Sequence, residues 1–206
     1  MGSAASRSGA DRTATPVRAT VAEVGLDGTA STTLAVGVRN GEGLSCVRRH
    51  GVRRDQRGRQ PALPFQRRQP VGLRGALIRQ RHPNDEISRI TPGTDMGWPL
   101  CVSDSRRKPD LRDLGFLNDP EFSADGRALD CSRIGATMLG LPAHSAAIGF
   151  VFARGSRLPA SLSDDAIVSA HGSWNREPPR EPCVAYTPSD SATRSLGPAR
   201  LPATGF

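Results

Sequence analysis

Aromatic side chains are scarce in this chain: they make up 4% of its 206 residues, and apolar residues of all kinds only 36%. That supply is too lean for a helical bundle packed around large side chains. Many short strands joined by turns suit the 22 glycines and 17 prolines better. No apolar run approaches the roughly 18 residues that a membrane-spanning helix needs. The opening MGSAASRSGADR lacks the apolar stretch of a secretory signal, so none is expected. Four cysteines are present, none in CxxC spacing, which removes the usual zinc frameworks. Lysine is nearly missing too: Lys108 is the single one among 28 basic residues.

The net charge of +8 is concentrated in one place. Between Cys46 and His82 stand eleven arginines and a single acid, Asp55, while the rest of the chain is close to neutral. This run has neither a helical nor a strand period, and a solvated, disordered segment over 46–82 is the plain expectation. Its charge also supports a nucleic-acid-binding arm. Base stacking would have to rely on Phe65 alone, so nucleic-acid binding ranks as the alternative reading.

Residues 1–15, without periodicity, read as a disordered leader. Beyond them Ala22, Val24 and Leu26 alternate with polar residues, as do Thr32, Leu34, Val36 and Val38. Asp27-Gly28 lies between the two runs, which is a hairpin signal. The second run ends in Arg39-Asn40-Gly41-Glu42-Gly43-Leu44, a strand end that would offer two polar side chains and a close-approaching backbone. Ordered texture returns at Pro83-Asn84-Asp85-Glu86-Ile87, where carboxylates and carbonyls beside a proline turn are oxygen ligands of the kind calcium takes. Residues 102–130 read as a long charged surface loop. Cys101 and Cys131 would pin it if they pair, and spacing alone leaves pairing and free thiols equally open. Two apolar runs, Ile148–Phe152 and Ala166–Ala170, are strand-like, and the second leads into His171-Gly172-Ser173-Trp174-Asn175-Arg176. His144 opens the same stretch. For the tail at most one more short strand is expected.

Five of these pieces, in this order, resemble the soluble quinoprotein sugar dehydrogenases, the glucose and sorbosone dehydrogenase-like proteins that bind pyrroloquinoline quinone (PQQ). The matching segments are Arg39-Asn40 with Gly43-Leu44; Pro83 with Asp85-Glu86-Ile87; Gly97-Trp98-Pro99-Leu100-Cys101; Ala143-His144-Ser145-Ala146; and His171 to Arg176. The resemblance implies an all-β, six-bladed propeller of four-stranded antiparallel sheets. In that family a sugar gives up a hydride at its anomeric carbon to PQQ, calcium polarises the quinone, and a histidine serves as base. Carried onto this chain, it implies Arg39, Asn40 and Arg176 as cofactor contacts and the carbonyls near His82 and Pro83 as calcium ligands. His144 and His171 would line the channel mouth, as base candidates or as groups that satisfy strand-end backbone. The implied partners are a sugar and an electron acceptor, and family members are typically exported.

Two departures from the family shape the expectation. The length suffices for about three blades, so the fold expected is an incomplete propeller: a blade portion over 16–45 and C-terminal blades over 83–206, possessing open sheet edges. The family pattern also breaks off after Leu44 and resumes at Pro83. The arginine-rich run between is therefore read either as disordered or as a frame-shifted stretch in a truncated gene, and the whole as a truncated member of doubtful activity.

Overall fold

The computed structural model describes residues 10–39, 41–47, 60–63, 84–120, 122–173, 177–190, 193 and 195–204. One helical turn, α1 (Ala10–Thr13), precedes the strands β1 (Val21–Val24), β2 (Ser31–Val36), β3 (Ser45–Val47) and β4 (Gln60–Leu63). The middle of the chain forms β5 (Asp85–Arg89), β6 (Thr94–Asp95), β7 (Cys101–Ser103), β8 (Arg112–Leu114) and β9 (Phe116–Asn118). After these come β10 (Thr137–Leu141), β11 (Ala147–Phe152) and β12 (Ala166–Ala170). The last strands are β13 (Cys183–Thr187), β14 (Ser189–Asp190), β15 (Ser195–Leu196) and β16 (Arg200–Thr204). They assemble into sheets ordered β1-β2-β6, β3-β4-β5-β10-β8 and β11-β12-β13-β16, with the pairs β7-β9 and β14-β15 beside them. Among the described residues no helix is long and apolar enough to cross a membrane.

The predicted hairpin is present. β1 and β2 run antiparallel with Val24 opposite Ser31, and Gly28 sits at φ 74°, a conformation that favours glycine. Asp27 closes the turn by accepting from the amide and hydroxyl of Thr29 at 3.1 and 2.8 Å. β2 turns Ala35 inward to pack with Val38, Ile90 and Met96. The leader departs from expectation, because Ala10–Thr13 form a helical turn and Arg12 makes a two-pronged ion pair with Asp95 at 2.6 and 2.9 Å. Arg12 also donates to the Trp98 carbonyl at 2.8 Å, which docks this turn against the segment after β6.

The main core lies between the second and third sheets. Ile87 of β5 faces Leu139 of β10, and both pack with Leu141, Phe150, Val168 and Leu196. In β12 the alternation is plain: Ala166, Val168 and Ala170 are buried while Ile167 and Ser169 are partly exposed. The two apolar runs read as strands are indeed β11 and β12. Small residues let the sheets close: a Cβ on Gly43 would stand 3.0 Å from the Phe150 amide nitrogen, so only glycine brings this loop onto β11 without displacement.

Two stretches carry more strand than the sequence suggested. Residues 102–130 contain β8 and β9, with Leu114, Phe116 and Asp119 buried, because three-residue strands rich in Arg and Asp show no readable alternation. The tail holds β13 to β16, not one strand, since β13 is covered on both sides by β12 and β16. Cys101 and Cys131 are disulfide-bonded, 5.7 Å apart at Cα, next to Phe116. Of the arginine-rich run, the paired strands β3 and β4 are described, and its remaining residues lie outside the described residues.

Glu86 points from β5 toward β7. Its Oε2 and the Ser103 hydroxyl are both buried without a hydrogen bond. Burial pushes the carboxyl up to about 7; the nearby Ser103 hydroxyl opposes part of that rise, and the Asp85 charge adds to it. Two outcomes are expected. The folded state holds a proton that the unfolded chain, with a carboxyl near 4.5, releases earlier, so stability is highest below that value and falls as pH rises to about 7. The loss is about 3 kcal/mol across the window, read from urea unfolding at several pH values, and Glu86→Gln flattens it; a flat wild-type profile contradicts this. Removing the disulfide by Cys101→Ala with Cys131→Ala lowers unfolding free energy by about 3–4 kcal/mol, from the size of the loop it closes.

Candidate functional site

A turn over residues 142–146 joins the segments of two sequence candidates, His144 and His171. The Pro142 carbonyl accepts from the Ser145 amide at 3.2 Å and from its hydroxyl at 2.6 Å. His144 and Ala146 adopt φ of 64° and 50°, left-handed conformations that cost a non-glycine residue about 1–2 kcal/mol. Such a turn persists only where neighbours over-determine it. Asp85, buried at the start of β5, accepts the Ala146 amide at 2.6 Å. The Ala146 and Ser145 carbonyls accept from the His171 and Gly172 amides, each at 2.9 Å. Asp85 and the segments of His144 and His171, far apart in sequence, therefore meet at one place.

The loop after β12 is fastened from its other side. Ser173 donates its amide to the Arg180 carbonyl at 3.0 Å, and the Arg180 amide donates to the Ser173 hydroxyl oxygen at 2.7 Å. The Arg180 Nε donates to the Ala143 carbonyl at 3.0 Å. Gly172, at φ 87°, lies so close to Arg180 and Pro182 that a Cβ would strike their backbone. His171 is exposed and His144 half-buried. The His171 Nδ1 lies 3.3 Å from the Gly172 carbonyl, which can only accept. A neutral His171 in that contact carries its proton on Nδ1 and leaves Nε2 as an acceptor, as a base requires. Near this loop, burial pushes the half-buried Cys183 thiol up, against the opposing charge of Arg180.

Arg39 belongs to a second group. It is buried, with its guanidinium 4.5 Å from the centroid of the buried Trp98 ring. Trp98 donates its amide to the Gly37 carbonyl at 3.0 Å and meets Phe122 edge-on at 6.3 Å. Gly43, four residues beyond Arg39, rests on β11, the strand that the His144 turn leads into. Asn40, His82, Pro83 and Arg176 lie outside the described residues.

The two carboxylates noted beside Pro83 face different ways. Asp85 turns to the Ala146 amide, and Glu86, on the opposite face of β5, is buried toward Ser103. Among the described residues no group of three or more His, Cys, Asp or Glu side chains is placed to hold a metal. Sequence reasoning missed both braces, Asp85 and Arg180. Each acts on a backbone group of a distant segment, for which no motif exists. A cleft of about 500 Å³, lined in part by Arg89, Thr94, Asp130 and Arg133, opens at the other end of β5 and is separate from this site.

No protein-family model matches the chain. An uncharacterized protein of Borreliella burgdorferi is 29% identical over 114 residues, 55% of this chain and 27% of that protein. Among solved structures, the holo form of the PQQ domain of Coprinopsis cinerea pyranose dehydrogenase matches at TM-score 0.52 and 18% identity, over 95% of this chain and 49% of that one. The iodide and calcium structures of a Trichoderma reesei enzyme of carbohydrate-active enzyme family AA12 match at TM-scores 0.56 and 0.58. Their identities are 16% and 15%; they cover 83% and 84% of this chain, and 45% and 43% of theirs. The chain therefore spans about half the length of the structures it matches. It has the fold of part of the PQQ-domain propeller, the incomplete all-β propeller that the resemblance implied.

Proposed function

We propose that this chain carries part of the cofactor and sugar site of a PQQ-dependent sugar dehydrogenase. The single observation behind this reading is the pairing of the His144 turn with the strand end at His171, a shelf of backbone braced by Asp85 and Arg180, within a fold shared with a PQQ domain. The arginines proposed as cofactor contacts suit an acidic, planar cofactor, because arginine meets carboxylates through charge-assisted hydrogen bonds. Arg176 and Asn40 would serve there together with Arg39, which is stacked on Trp98. For calcium the described side chains form no cage, and the main-chain carbonyls near His82 and Pro83 carry that role by resemblance alone.

When bound, PQQ supplies a two-electron acceptor, chemistry that no side chain of this protein can provide. The chain's own part is to orient the sugar and accept its hydroxyl proton. His171 is the better placed of the two for that proton, since its Nδ1 contact leaves Nε2 free to accept. His144 lies in the strained turn whose carbonyls receive the His171 and Gly172 amides.

The expected outcome is a higher melting temperature for purified chain in the presence of PQQ and calcium, since a ligand that binds only the folded state must stabilise it. Oxidation of an aldose with an artificial electron acceptor tests competence beyond binding. If turnover occurs, His171→Ala lowers kcat by about 10²–10⁴-fold, the usual share of a general base. An unchanged melting temperature at saturating PQQ and calcium contradicts the proposal.

A further inference from the structure

We infer that Arg180 is the positioning residue of this site: it fixes the backbone of the His144 turn, and through it the pose of the imidazole. The case begins with the loop that carries it. Residues 178–182 read Pro-Pro-Arg-Glu-Pro, so Arg180 and Glu181 hold its only amide hydrogens. Arg180 commits its amide to the Ser173 hydroxyl and its carbonyl to the Ser173 amide, at 2.7 and 3.0 Å. Its backbone is thus anchored on both sides, and the side chain leaves from a fixed point.

From that point the Nε reaches the Ala143 carbonyl at 3.0 Å, across 37 positions of sequence. A ring of contacts closes around His144. Ala143 is held by Arg180, Ser145 by Gly172, and Ser173, next to Gly172, returns to Arg180. His144 is the residue between the two held carbonyls, at φ 64°. Asp85 and the β12 extension secure the far side of the turn at Ala146, while Arg180 secures the near side at Ala143. Without it, the near side of the turn keeps only the bonds from Ser145 to the Pro142 carbonyl, and His144 relaxes more readily toward ordinary backbone, which costs the residue less.

The inference rests on the proposed site for its functional meaning, but its first readout does not. Histidine C2–H resonances of the full chain are followed by NMR against pH, with His144→Gln assigning the His144 signal. Arg180→Ala is expected to shift the His144 titration or split its signal, with a cooperative melt retained. Arg180→Lys, which keeps a donor on a long stem, displaces it less. In parallel, binding of PQQ with calcium, followed by fluorescence quenching, is expected to weaken about tenfold in Arg180→Ala. If that variant does not fold, Ser173→Ala, which removes the hydroxyl that anchors Arg180, is expected to move the same signal by less. An unmoved His144 signal in the folded variants, or equal displacement by Lys and Ala, overturns the inference. Wild-type chain that takes up no PQQ sinks the functional reading instead, while the His144 signal still decides the role of Arg180.

Discussion

The bond from the Ala146 amide to the Asp85 carboxylate, 2.6 Å long and buried, is the contact on which the arrangement of the site depends. A carboxylate withdrawn from water must be compensated by donors, and an amide in a left-handed turn must find an acceptor. Here each satisfies the other, and the bond to a charged acceptor is of the stronger kind. It ties the start of β5, in the second sheet, to the turn that opens β11, in the third. Once that turn is fixed, the carbonyls of Ser145 and Ala146 are in place to receive Gly172 and His171. The shelf thus follows from a core contact, not from the histidines themselves.

Asp85 and Glu86 show how neighbouring acids on one strand come to do different work. Successive strand residues face opposite sides, so one carboxyl meets the His144 turn and the other the disulfide-bonded β7-β9 pair. Asp85 is given a donor. Glu86 is left with a buried oxygen lacking one, and its protonation is the cheaper way to hold it there. β5 consequently serves as the joint among three groups of strands, with the same two residues setting both contacts.

Much of the fold was legible because its signals are local. Asp27-Gly28 between alternating runs gave the hairpin, and the apolar runs around Phe150 and Val168 gave β11 and β12. Short polar strands such as Arg112–Leu114 were not legible: three residues hold no periodicity, and their pairing depends on Leu139 and Thr137 of a distant strand. The site divides in the same way. The five motifs marked His144, His171 and Arg39, and the structure brings Asp85 and the His144 and His171 segments into contact and stacks Arg39 on Trp98. Asp85 was read as a cation ligand because its carboxyl is visible in sequence while the amide it serves, 61 positions away, is not. Arg180 drew no notice for the same reason, having a backbone carbonyl for its partner.

The central claim, that a core carboxylate holds the histidine shelf, is tested most directly by hydrogen exchange at single amides. The amides of Ala146, His171 and Gly172 are predicted to exchange as slowly as that of Val168 in the middle of β12, because the Ala146 amide is closed by the bond between two sheets and the other two extend the β11–β12 ladder that this bond holds in place. In Asp85→Asn the three are expected to become faster together while Val168 stays protected. Exchange of Ala146 in the wild-type chain at the rate of an exposed loop would contradict the account.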